Sequence, residues 1–285
     1  MKVLETVLDL NRYLAPYHRA GKSIGLVPTM GSLHAGHLSL VATARADNDI
    51  VVMSIFVNPT QFAPGEDFEA YPRDLERDTE LAAEAGVDAV FAPLTAELYP
   101  PGFSTFIDVV GVETSGMCAA SRPGHFRGVT TVVDILLNLV RPARAYFGQK
   151  DAQQLAVIRR MASDLALVPE IVGCPIVREP DGLALSSRNA YLSPPERSAA
   201  PVLYQALRVA RDAIESGQRS RDKIITMVEH HITAEPLAKL EYVEARNAAG
   251  QEAPSILTGE ILLAVAARFG TSRLIDNIIV EIEET

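Results

Sequence analysis

Short apolar, β-rich runs alternate with amphipathic helical runs over the first 177 residues. The apolar runs span residues 24–27, 50–57, 89–91, 105–110, 145–147 and 171–177. Residues 50–57 are nearly all apolar, as expected of a central strand that is buried on both faces. Because strands that alternate with helices usually form a parallel sheet covered by helices, this pattern predicts an α/β fold.

The pattern changes after residue 176. Two helical runs, 196–216 and 220–234, come first. Three β-like runs follow, at 240–246, 260–267 and 272–280. Two helices followed by three strands predict a separate α+β unit with a three-stranded antiparallel sheet. We therefore predict a larger domain over residues 1–176 and a smaller C-terminal domain over residues 177–285.

Composition and charge exclude several classes of function. The chain has 285 residues and a formal net charge of −10, which argues against a broad nucleic-acid-binding surface but allows a small acidic ligand. Cys118 and Cys174 lie far apart and outside any C-x-x-C motif, so neither a disulfide nor a zinc site is predicted. No apolar run approaches the roughly 18 residues of a membrane span, and residues 1–14 have an amphipathic helical pattern. We therefore expect a cytoplasmic protein with no membrane partner.

Two histidines three residues apart follow the first apolar run. Residues 24–27 predict a buried strand, Pro28 and Gly31 end it, and a helical pattern begins after His37. His34 and His37 therefore lie at a strand-to-helix turn. The N–H groups and partial positive charge of a helix N-terminus bind phosphate, and histidine donors stabilise charge that develops at phosphorus. The alternative is that both histidines cap the helix or pack locally.

A second strand-to-helix turn contains residues 148–151. Lys150 is suited to binding a phosphate there, although a lysine at a helix start is often only solvated, and Asp151 is also a suitable N-cap. Gln153 and Gln154 follow in the first helical turn. A neutral amide of this kind binds hydroxyl or carboxylate oxygens without adding charge, so this turn is a candidate substrate site.

Asn58 and Gln61 follow the carboxyl end of the central apolar run. Loops at that edge of an open α/β sheet bind ligands, so both amides are candidate substrate contacts. Residues 62–73 contain two prolines, one glycine and three acids, which predicts a mobile loop over the site. Asp78 belongs to a group of acids that form a solvated helix face, or else Asp78 approaches Mg²⁺, because this hard cation prefers carboxylate and phosphate oxygens.

Two further polar segments have open interpretations. Ser186, Ser187 and Arg188 combine two hydroxyls with a guanidinium, which suits a triphosphate, or they form a helix cap and surface turn. Residues 122–128 contain two arginines and a histidine before a helix predicted over 129–139. This segment is either a structural loop or a binding loop.

Five motifs occur in order between residues 28 and 189. They are P-T-M-G with H-x-G-H (28–37), F-V-N-P-x-Q-F (56–62), R-P-G-H-F-x-G-V (122–129), G-x-K-D-x-Q-Q (148–154) and L-S-S-R-N (185–189). Together they closely resemble the pantothenate synthetase family of pantoate–β-alanine ligases, whereas residues after Ser193 match mainly in length and pattern. The resemblance implies a Rossmann-like domain of the H-x-G-H nucleotidyltransferase superfamily, a smaller C-terminal domain covering the site, and a homodimer.

The resemblance also implies two half-reactions. The carboxylate of pantoate attacks the α-phosphorus of ATP and releases pyrophosphate, and the amine of β-alanine then attacks the pantoyl adenylate and releases AMP. The first nucleophile is already ionised near neutral pH, so catalysis requires positioning and charge stabilisation rather than a strong base. Mg²⁺ is expected to bridge the phosphates.

Residue roles follow from the same resemblance. His37 is assigned as the proton donor. Gln61 is expected to contact pantoate and β-alanine, and Gln154 to contact pantoate. The residues expected to neutralise the triphosphate and the developing charge are His34, His37, Lys150, Ser186, Ser187 and Arg188. The expected ATP contacts are Met30, Gly31, Ser32, Leu33, His34, Ala35, Gly36, His37, Gly148, Gln149, Lys150, Asp151, Val177, Leu185, Ser186, Ser187 and Arg188.

Two other functions compete with this one. The nearest rival is another H-x-G-H enzyme, either a nucleotidylyltransferase that leaves AMP on its product or an adenylating enzyme similar to a shortened aminoacyl-tRNA synthetase. The acidic chain has no obvious RNA-binding module, which disfavours the second form. A non-catalytic nucleotide-binding protein is a different class. The presence of both histidines, Lys150 and residues 186–188 argues against it.

Overall fold

The structure is a computed structural model that describes residues 1–111, 114–247 and 250–283. Its contacts divide the chain into two compact units. The first comprises Met1–Thr114, Cys118–Gln149 and Gln153–Pro175, and the second comprises Ser115–Met117, Lys150–Ala152 and Ile176–Thr285. Within the described ranges, no helix is both long and apolar enough to span a bilayer.

The first unit is built on a six-stranded parallel sheet. Its strands are β1 (Lys2–Leu4), β2 (Ile24–Thr29), β3 (Ile50–Ile55), β4 (Ala89–Phe91), β5 (Arg144–Gly148) and β6 (Glu170–Cys174). Their order in the sheet is β1-β4-β3-β2-β5-β6, and all neighbouring strands are parallel. The predicted parallel-sheet fold is thus confirmed. The chain runs outward in both directions from β2 and β5, so the carboxyl ends of these two strands form the switch point at which such sheets bind ligands.

Helices connect these strands. They are α1 (Val7–Arg19), α2 (Ala35–Asp47), α3 (Leu75–Glu84), α4 (Thr95–Leu98), α5 (Met117–Ser121), α6 (His125–Val140) and α7 (Ala152–Asp164). The core between sheet and helices contains Val27, Val51 and Val90 from the strands and Val41 and Ala44 from α2, all fully buried. These apolar side chains supply the hydrophobic free energy that fixes α2 against the sheet and therefore fixes the position of its first turn.

The start of the chain differs from the prediction. The helical pattern assigned to residues 1–14 begins with strand β1 at the edge of the sheet, and helix α1 begins only after Thr6, whose hydroxyl accepts the N–H of Asp9 at 3.1 Å. Pro28 does not end β2, which continues to Thr29. Residues on one short strand are too few to establish a periodicity, so the neighbouring helical pattern dominated the prediction.

The strand predicted at 105–110 is wrong, because this segment has no regular secondary structure. At Ile107 the backbone is paired with side chains of α6 instead of with a neighbouring strand. The N–H of Ile107 donates to the Thr131 hydroxyl at 3.0 Å, and the Thr130 hydroxyl donates to the Ile107 carbonyl at 2.6 Å. These bonds satisfy polar backbone groups that a strand would otherwise pair.

The second unit contains a three-stranded antiparallel sheet, as predicted. Its strands are β7 (Lys239–Asn247), β8 (Gly259–Phe269) and β9 (Ser272–Ile282), in that order. Its helices are α8 (Pro194–Ala199), α9 (Val202–Glu215) and α10 (Arg221–Thr233). The single helical run predicted over 196–216 is divided at Pro201, which has no N–H to continue the helical hydrogen bonds. Leu203, Leu207 and Ile214 form the buried face of α9 in the core of this unit.

Candidate active site

The H-x-G-H motif forms the start of α2. His34 is the N-cap residue, with extended backbone, and its Nδ1 accepts the N–H of Gly36 at 3.1 Å. In a neutral imidazole whose Nδ1 accepts, Nε2 carries the proton. The helix-cap alternative is therefore realised by His34, and its neutral ring has a donor on the other nitrogen.

The two imidazoles lie against each other. The ring centroids of His34 and His37 are 4.0 Å apart with an interplanar angle of 31°, and both residues are half-buried. His34 caps α2 and His37 lies in its first turn, where the partial positive charge of the helix favours an anion. This arrangement is suited to binding phosphate oxygens and to stabilising charge that develops on them.

Asp78 on α3 supports the turn that precedes His34. Its two carboxylate oxygens accept the N–H groups of Ser32 and Leu33, at 2.7 and 2.8 Å, and the residue is only 2% exposed. Gly31 and Ser32 have positive φ angles of 81° and 52°, and a Cβ at Gly31 would lie 2.7 Å from Oδ2 of Asp78. Both oxygens are thus engaged by the backbone. This geometry favours support of the loop over the magnesium-ligand role considered for Asp78 from sequence.

Gln61 lies in a single 3₁₀ turn, Pro59–Gln61, after β3. Its Oε1 accepts a hydrogen bond from Nδ2 of Asn58 at 3.1 Å, and its Nε2 lies 3.0 Å from Sδ of Met30. The first contact fixes which side of the amide carries the oxygen, and the second brings Gln61 beside the H-x-G-H segment. Because Thr29 and Ile55 are register partners at the ends of β2 and β3, both segments leave the sheet at one edge.

Asn58 is itself buried, at 1% exposure, and its amide is saturated. Nδ2 also donates to the Gly128 carbonyl at 3.0 Å, while Oδ1 accepts from the hydroxyls of Thr60 and Tyr99, both at 2.9 Å. Burial raises the pKa of Tyr99, so the phenol remains a donor. The contacts favour a positioning role for Asn58, acting through Gln61, over the direct substrate contact expected from sequence.

Gly128 allows α6 to approach the Gln61 turn closely. A Cβ at Gly128 would lie 2.4 Å from the carbonyl oxygen of Thr60 and 2.6 Å from the backbone nitrogen of Gln61. No side chain fits in this space without moving one of the two backbones. Gly128 therefore permits the direct contact between α6 and the turn.

A charged group formed by Arg122, Glu66 and His125 holds the other side of this turn. Arg122 donates to both oxygens of Glu66, at 2.7 and 2.6 Å, and contacts Nε2 of His125 at 2.9 Å. Nδ1 of His125 lies 2.8 Å from the carbonyl oxygen of Gln61. Because that carbonyl only accepts and the guanidinium only donates, His125 is the neutral Nδ1–H tautomer. Burial raises the pKa of Glu66, but the hydrogen bonds and charge of Arg122 outweigh it, so the pKa lies below its ordinary value.

The second turn follows β5. Gly148 is the last residue of that strand, and Gln149 to Asp151 form a 3₁₀ turn before α7. The carbonyl oxygen of Lys150 accepts a hydrogen bond from Nδ2 of Asn277 at 2.9 Å. Gln153 is buried and its Oε1 accepts the N–H of Ala119 at 3.3 Å, whereas Gln154 is half-buried. Of these two amides, Gln154 is the more exposed and fits the substrate role expected of it.

Ser186, Ser187 and Arg188 belong to the second unit. Ser186 caps a 3₁₀ turn over Ser187–Tyr191, and its hydroxyl oxygen accepts the N–H of Arg188 at 3.3 Å. Just before them, the N–H of Leu185 donates to the carbonyl of Val177 at 3.0 Å, which closes the loop between these two predicted ATP contacts. The helix-cap alternative is thus realised by one hydroxyl of this segment.

Within residues 1–111, 114–247 and 250–283, no three His, Cys, Asp or Glu residues form a metal-binding group. Asp78, the candidate from sequence, is engaged with backbone N–H groups. Mg²⁺ commonly keeps waters and substrate phosphates among its ligands, so a cluster of three protein ligands is not needed to hold it together with ATP.

Sequence reasoning missed several residues that support the site. Tyr99, Thr60 and Glu66 have no distinguishing local pattern, and their contacts join segments that are far apart in sequence. Gly128 and Arg122 lie in one of the five motifs, but their roles depend on what they contact. A glycine before a helical run was the one available signal of a close backbone approach.

The chain is similar to known proteins over nearly its whole length. A family model for pantoate-beta-alanine ligase matches residues 2–279. The chain belongs to the pantoate-beta-alanine ligase family. This confirms the resemblance that the five motifs indicated.

Relatives in the pantoate-beta-alanine ligase family match over their full length. A pantothenate synthetase of Acetivibrio thermocellus is 55% identical over 282 residues, which cover 99% of this chain and 100% of the relative. The crystal structure of pantothenate synthetase from Thermus thermophilus has a TM-score of 0.93 at 49% identity, covering 98% of this chain and 99% of that chain. A pantoate-beta-alanine ligase from Francisella tularensis, complexed with beta-gamma ATP and beta-alanine, has a TM-score of 0.80 at 33% identity, covering 98% and 97%.

Proposed function

We propose that this chain condenses (R)-pantoate with β-alanine, using ATP, to give pantothenate, AMP and pyrophosphate through a pantoyl adenylate. Full-length membership in the pantoate-beta-alanine ligase family supports the overall reaction. One local observation links the proposed reaction to particular residues. The paired imidazoles of His34 and His37 begin α2, and the Gln61 amide contacts Met30 in the segment leading to them. An anion site and an oriented amide thus adjoin each other.

In the first half-reaction, a carboxylate oxygen of pantoate bonds to the α-phosphorus of ATP. The bond between that phosphorus and the bridging oxygen breaks, and pyrophosphate leaves. The nucleophile is already ionised, so the protein supplies orientation and donors rather than a base. We assign Nε2–H of His34 and the ring of His37 to the phosphate oxygens, with His37 as the proton donor.

The other proposed phosphate contacts come from the family motifs. Lys150, Ser186, Ser187 and Arg188 would neutralise the triphosphate, because ammonium, guanidinium and hydroxyl groups are strong donors to phosphate oxygens. The remaining ATP contacts are the expected backbone and side-chain positions in residues 30–37, 148–151, 177 and 185. Mg²⁺ is proposed to enter with the phosphates of ATP, and no chemical step is assigned to it.

In the second half-reaction, the amine nitrogen of β-alanine bonds to the acyl carbon of the adenylate. The ammonium group of β-alanine loses one proton before this attack. AMP leaves as the bond between the acyl carbon and the bridging oxygen breaks, and the new amide nitrogen loses a second proton. Gln61 and Gln154 are proposed to bind pantoate, and Gln61 also to bind β-alanine. The orientation of the Gln61 amide by Asn58 supports this, since one Nε2–H faces Met30 and the other is directed away from it.

A coupled assay in which each substrate is omitted in turn tests the function. We expect AMP and pantothenate in equal amounts only when ATP, pantoate and β-alanine are all present. Isotope exchange between pyrophosphate and ATP should require pantoate and proceed without β-alanine. A nucleotidylyltransferase would release pyrophosphate without AMP, and AMP formation that does not depend on both substrates would overturn the ligase proposal.

Assembly and location complete the proposal. We propose a homodimer in the cytoplasm that acts on small molecules rather than on nucleic acid, and the support for both is the family resemblance. Light scattering after size-exclusion chromatography should give twice the mass of one 30.8 kDa chain. Fractionation of the producing cells should recover the protein with cytoplasmic markers.

A further inference from the structure

Two adjacent polar residues are buried in the middle of β9. Asp276 and Asn277 are 3% and 4% exposed, although their partners on β8 are the apolar residues Val265 and Ala264. Consecutive strand residues normally point to opposite faces, so one of them usually faces solvent. A buried acid and a buried amide side by side therefore require specific partners. We call these two residues the Asp276–Asn277 pair.

Asp276 holds the loop that leads to Ser186. Its carboxylate accepts two hydrogen bonds from Arg178, at 2.7 and 2.9 Å, and Arg178 also donates to the carbonyl oxygens of Gly182 and Asn277. The guanidinium lies 3.7 Å from the centre of the Tyr204 ring. Arg178 pairs with Ala184 through a backbone bridge, so its side chain connects the loop from Val177 to Leu185 to β9.

Asn277 holds the Lys150 turn. Its Nδ2 donates to the carbonyl oxygen of Lys150 at 2.9 Å, across 127 residues of sequence. Lys150 belongs to a 3₁₀ turn of three residues, so few internal bonds define its direction. A side-chain donor on a regular strand fixes the main chain of Lys150, and the main chain sets the direction from which its ammonium extends.

Energetics favour positioning over simple stabilisation. Burial raises the pKa of the Asp276 carboxyl, while the hydrogen bonds and charge of Arg178 oppose that shift. A buried ion pair is often no more stabilising than apolar residues of similar volume, so its presence is weak evidence for a role in stability alone. What the pair supplies is directional contact with two segments that both carry expected ATP contacts.

We propose that the Asp276–Asn277 pair is a positioning element for ATP, in which one strand of the C-terminal sheet holds both the Lys150 turn and the loop ending at Ser186–Arg188. Asp276 acts through Arg178 on the loop, and Asn277 acts directly on the Lys150 main chain. The inference deepens the proposed function and rests on its assignment of Lys150 and residues 186–188 to ATP. It adds C-terminal residues that the motif comparison left without a role.

Three variants test this pair. Asn277→Ser shortens the side chain, Asn277→Asp keeps its volume but replaces the donor by a carboxylate oxygen, and Asp276→Asn removes the charge that faces Arg178. Calorimetry measures the Kd of a non-hydrolysable ATP analogue, and steady-state assays measure KM for each substrate. We expect Kd and KM for ATP to rise about tenfold in Asn277→Ser, as for loss of one buried hydrogen bond. KM for β-alanine should change less than twofold.

Matched controls lie in the same sheet. Ser272→Ala changes a buried polar residue at the start of β9, and Glu241→Gln neutralises an acid on β7 that accepts from Arg268 and Arg273. Neither should change the Kd for the analogue. Unfolding curves of all variants separate a general loss of stability from a loss of ATP affinity.

The result that overturns the proposal is an unchanged Kd for the ATP analogue in folded variants, with only the free energy of unfolding lowered. If Asn277→Ser does not fold, the isosteric Asn277→Asp and Asp276→Asn decide by the same criterion. A wild-type protein that binds the analogue but makes no AMP would instead overturn the proposed ligase function. The comparison of Kd values would still test the pair, because binding is measured without turnover.

Discussion

Two strand-to-helix turns in this protein share a local plan but are supported in opposite ways. The first, residues 30–37, follows β2 and is held by the buried carboxylate of Asp78, which accepts two backbone N–H groups. The second, residues 148–151, follows β5 and is held by a neutral amide, Asn277, which donates to one backbone carbonyl. One support is charged and makes two bonds, and the other is uncharged and makes one.

The difference concerns which backbone groups are engaged. Asp78 uses N–H groups of Ser32 and Leu33, so the backbone conformation that precedes His34 is fixed without using the N–H groups of α2 itself. Asn277 uses a carbonyl oxygen and fixes the main chain from which a flexible lysine extends. A rigid imidazole requires an exact backbone position, whereas a long ammonium side chain tolerates a looser one. We therefore expect defects in the first turn to have larger effects.

The largest expected effect is at His37. His37→Ala should lower kcat about 100-fold or more, the size seen when a donor to a developing oxyanion is removed, with little change in the free energy of unfolding. The measurement is pantoate-dependent AMP formation under saturating substrates. His230→Ala, an exposed histidine on α10, is the matched control and should retain full activity. Normal turnover in His37→Ala would contradict the proton-donor role of His37 and the larger effect expected for the first turn.

Asp78→Asn breaks the charged support while keeping its shape. One acceptor oxygen becomes an NH₂ group that faces a backbone N–H, so we expect a loss of about 2 kcal/mol in the free energy of unfolding, as for a buried donor left unsatisfied. The Kd for an ATP analogue should rise as well. Urea unfolding and calorimetry measure the two effects. Glu80→Gln, exposed on the same helix, should behave as wild type, and equal behaviour of both variants would contradict the support assigned to Asp78.

Asn58→Ser tests whether the orientation of the Gln61 amide affects the binding of pantoate more than the binding of ATP. Without its donor, Gln61 loses the bond that sets its orientation, so KM for pantoate should rise about tenfold while KM for ATP changes less than twofold. Asn138→Ser on the exposed face of α6 is the control. Equal increases in both KM values would assign Asn58 to the general stability of this region.

The smallest effect concerns the Glu66–Arg122 ion pair, which lies outside both turns. The pKa of Glu66 is lowered, so its contribution to stability is fully present above the ordinary value of 4.5 and is lost as pH falls through the lower pKa of the folded protein. Wild type should exceed Glu66→Gln by about 1 kcal/mol at about pH 7, and this gap should close in acid. Unfolding at several pH values measures it. Glu69→Gln, at an exposed residue nearby, should have the same free energy of unfolding as wild type at every pH. A difference between wild type and Glu66→Gln that grows in acid would contradict the lowered pKa of Glu66.

Much of the fold was predictable because a strand that is buried on both faces of a sheet must be apolar along most of its length. The runs at 50–57 and 89–91 correspond to β3 and β4, since each strand must be apolar wherever the sheet is covered. Residues 105–110 show the limit of this argument. Their apolar pattern resembles that of a strand, but the hydroxyls of Thr130 and Thr131 form hydrogen bonds with the backbone of Ile107. No local sequence pattern indicates such a partner.

The candidate site likewise contains residues that local sequence indicates and residues that it does not. His34, His37 and Gln61 could be predicted as candidates because their residue types and local turns indicate a chemistry. Asp78 was considered from sequence as a magnesium ligand, because the two backbone N–H groups that its carboxylate accepts lie 45 and 46 residues away. Asn277 was not found, since its partner lies 127 residues away. Supporting residues are defined by long-range contacts, which a single sequence does not display.

The close contact at Gly128 has a consequence for the precision of substrate binding. The distance from α6 to the Gln61 turn is set by backbone lying on backbone, with no side chain between them. Side chains change rotamer on short time scales, whereas a helix backbone is nearly rigid over the same interval. The main chain of Gln61 is therefore held at a spacing from α6 that thermal motion of neighbouring side chains hardly alters.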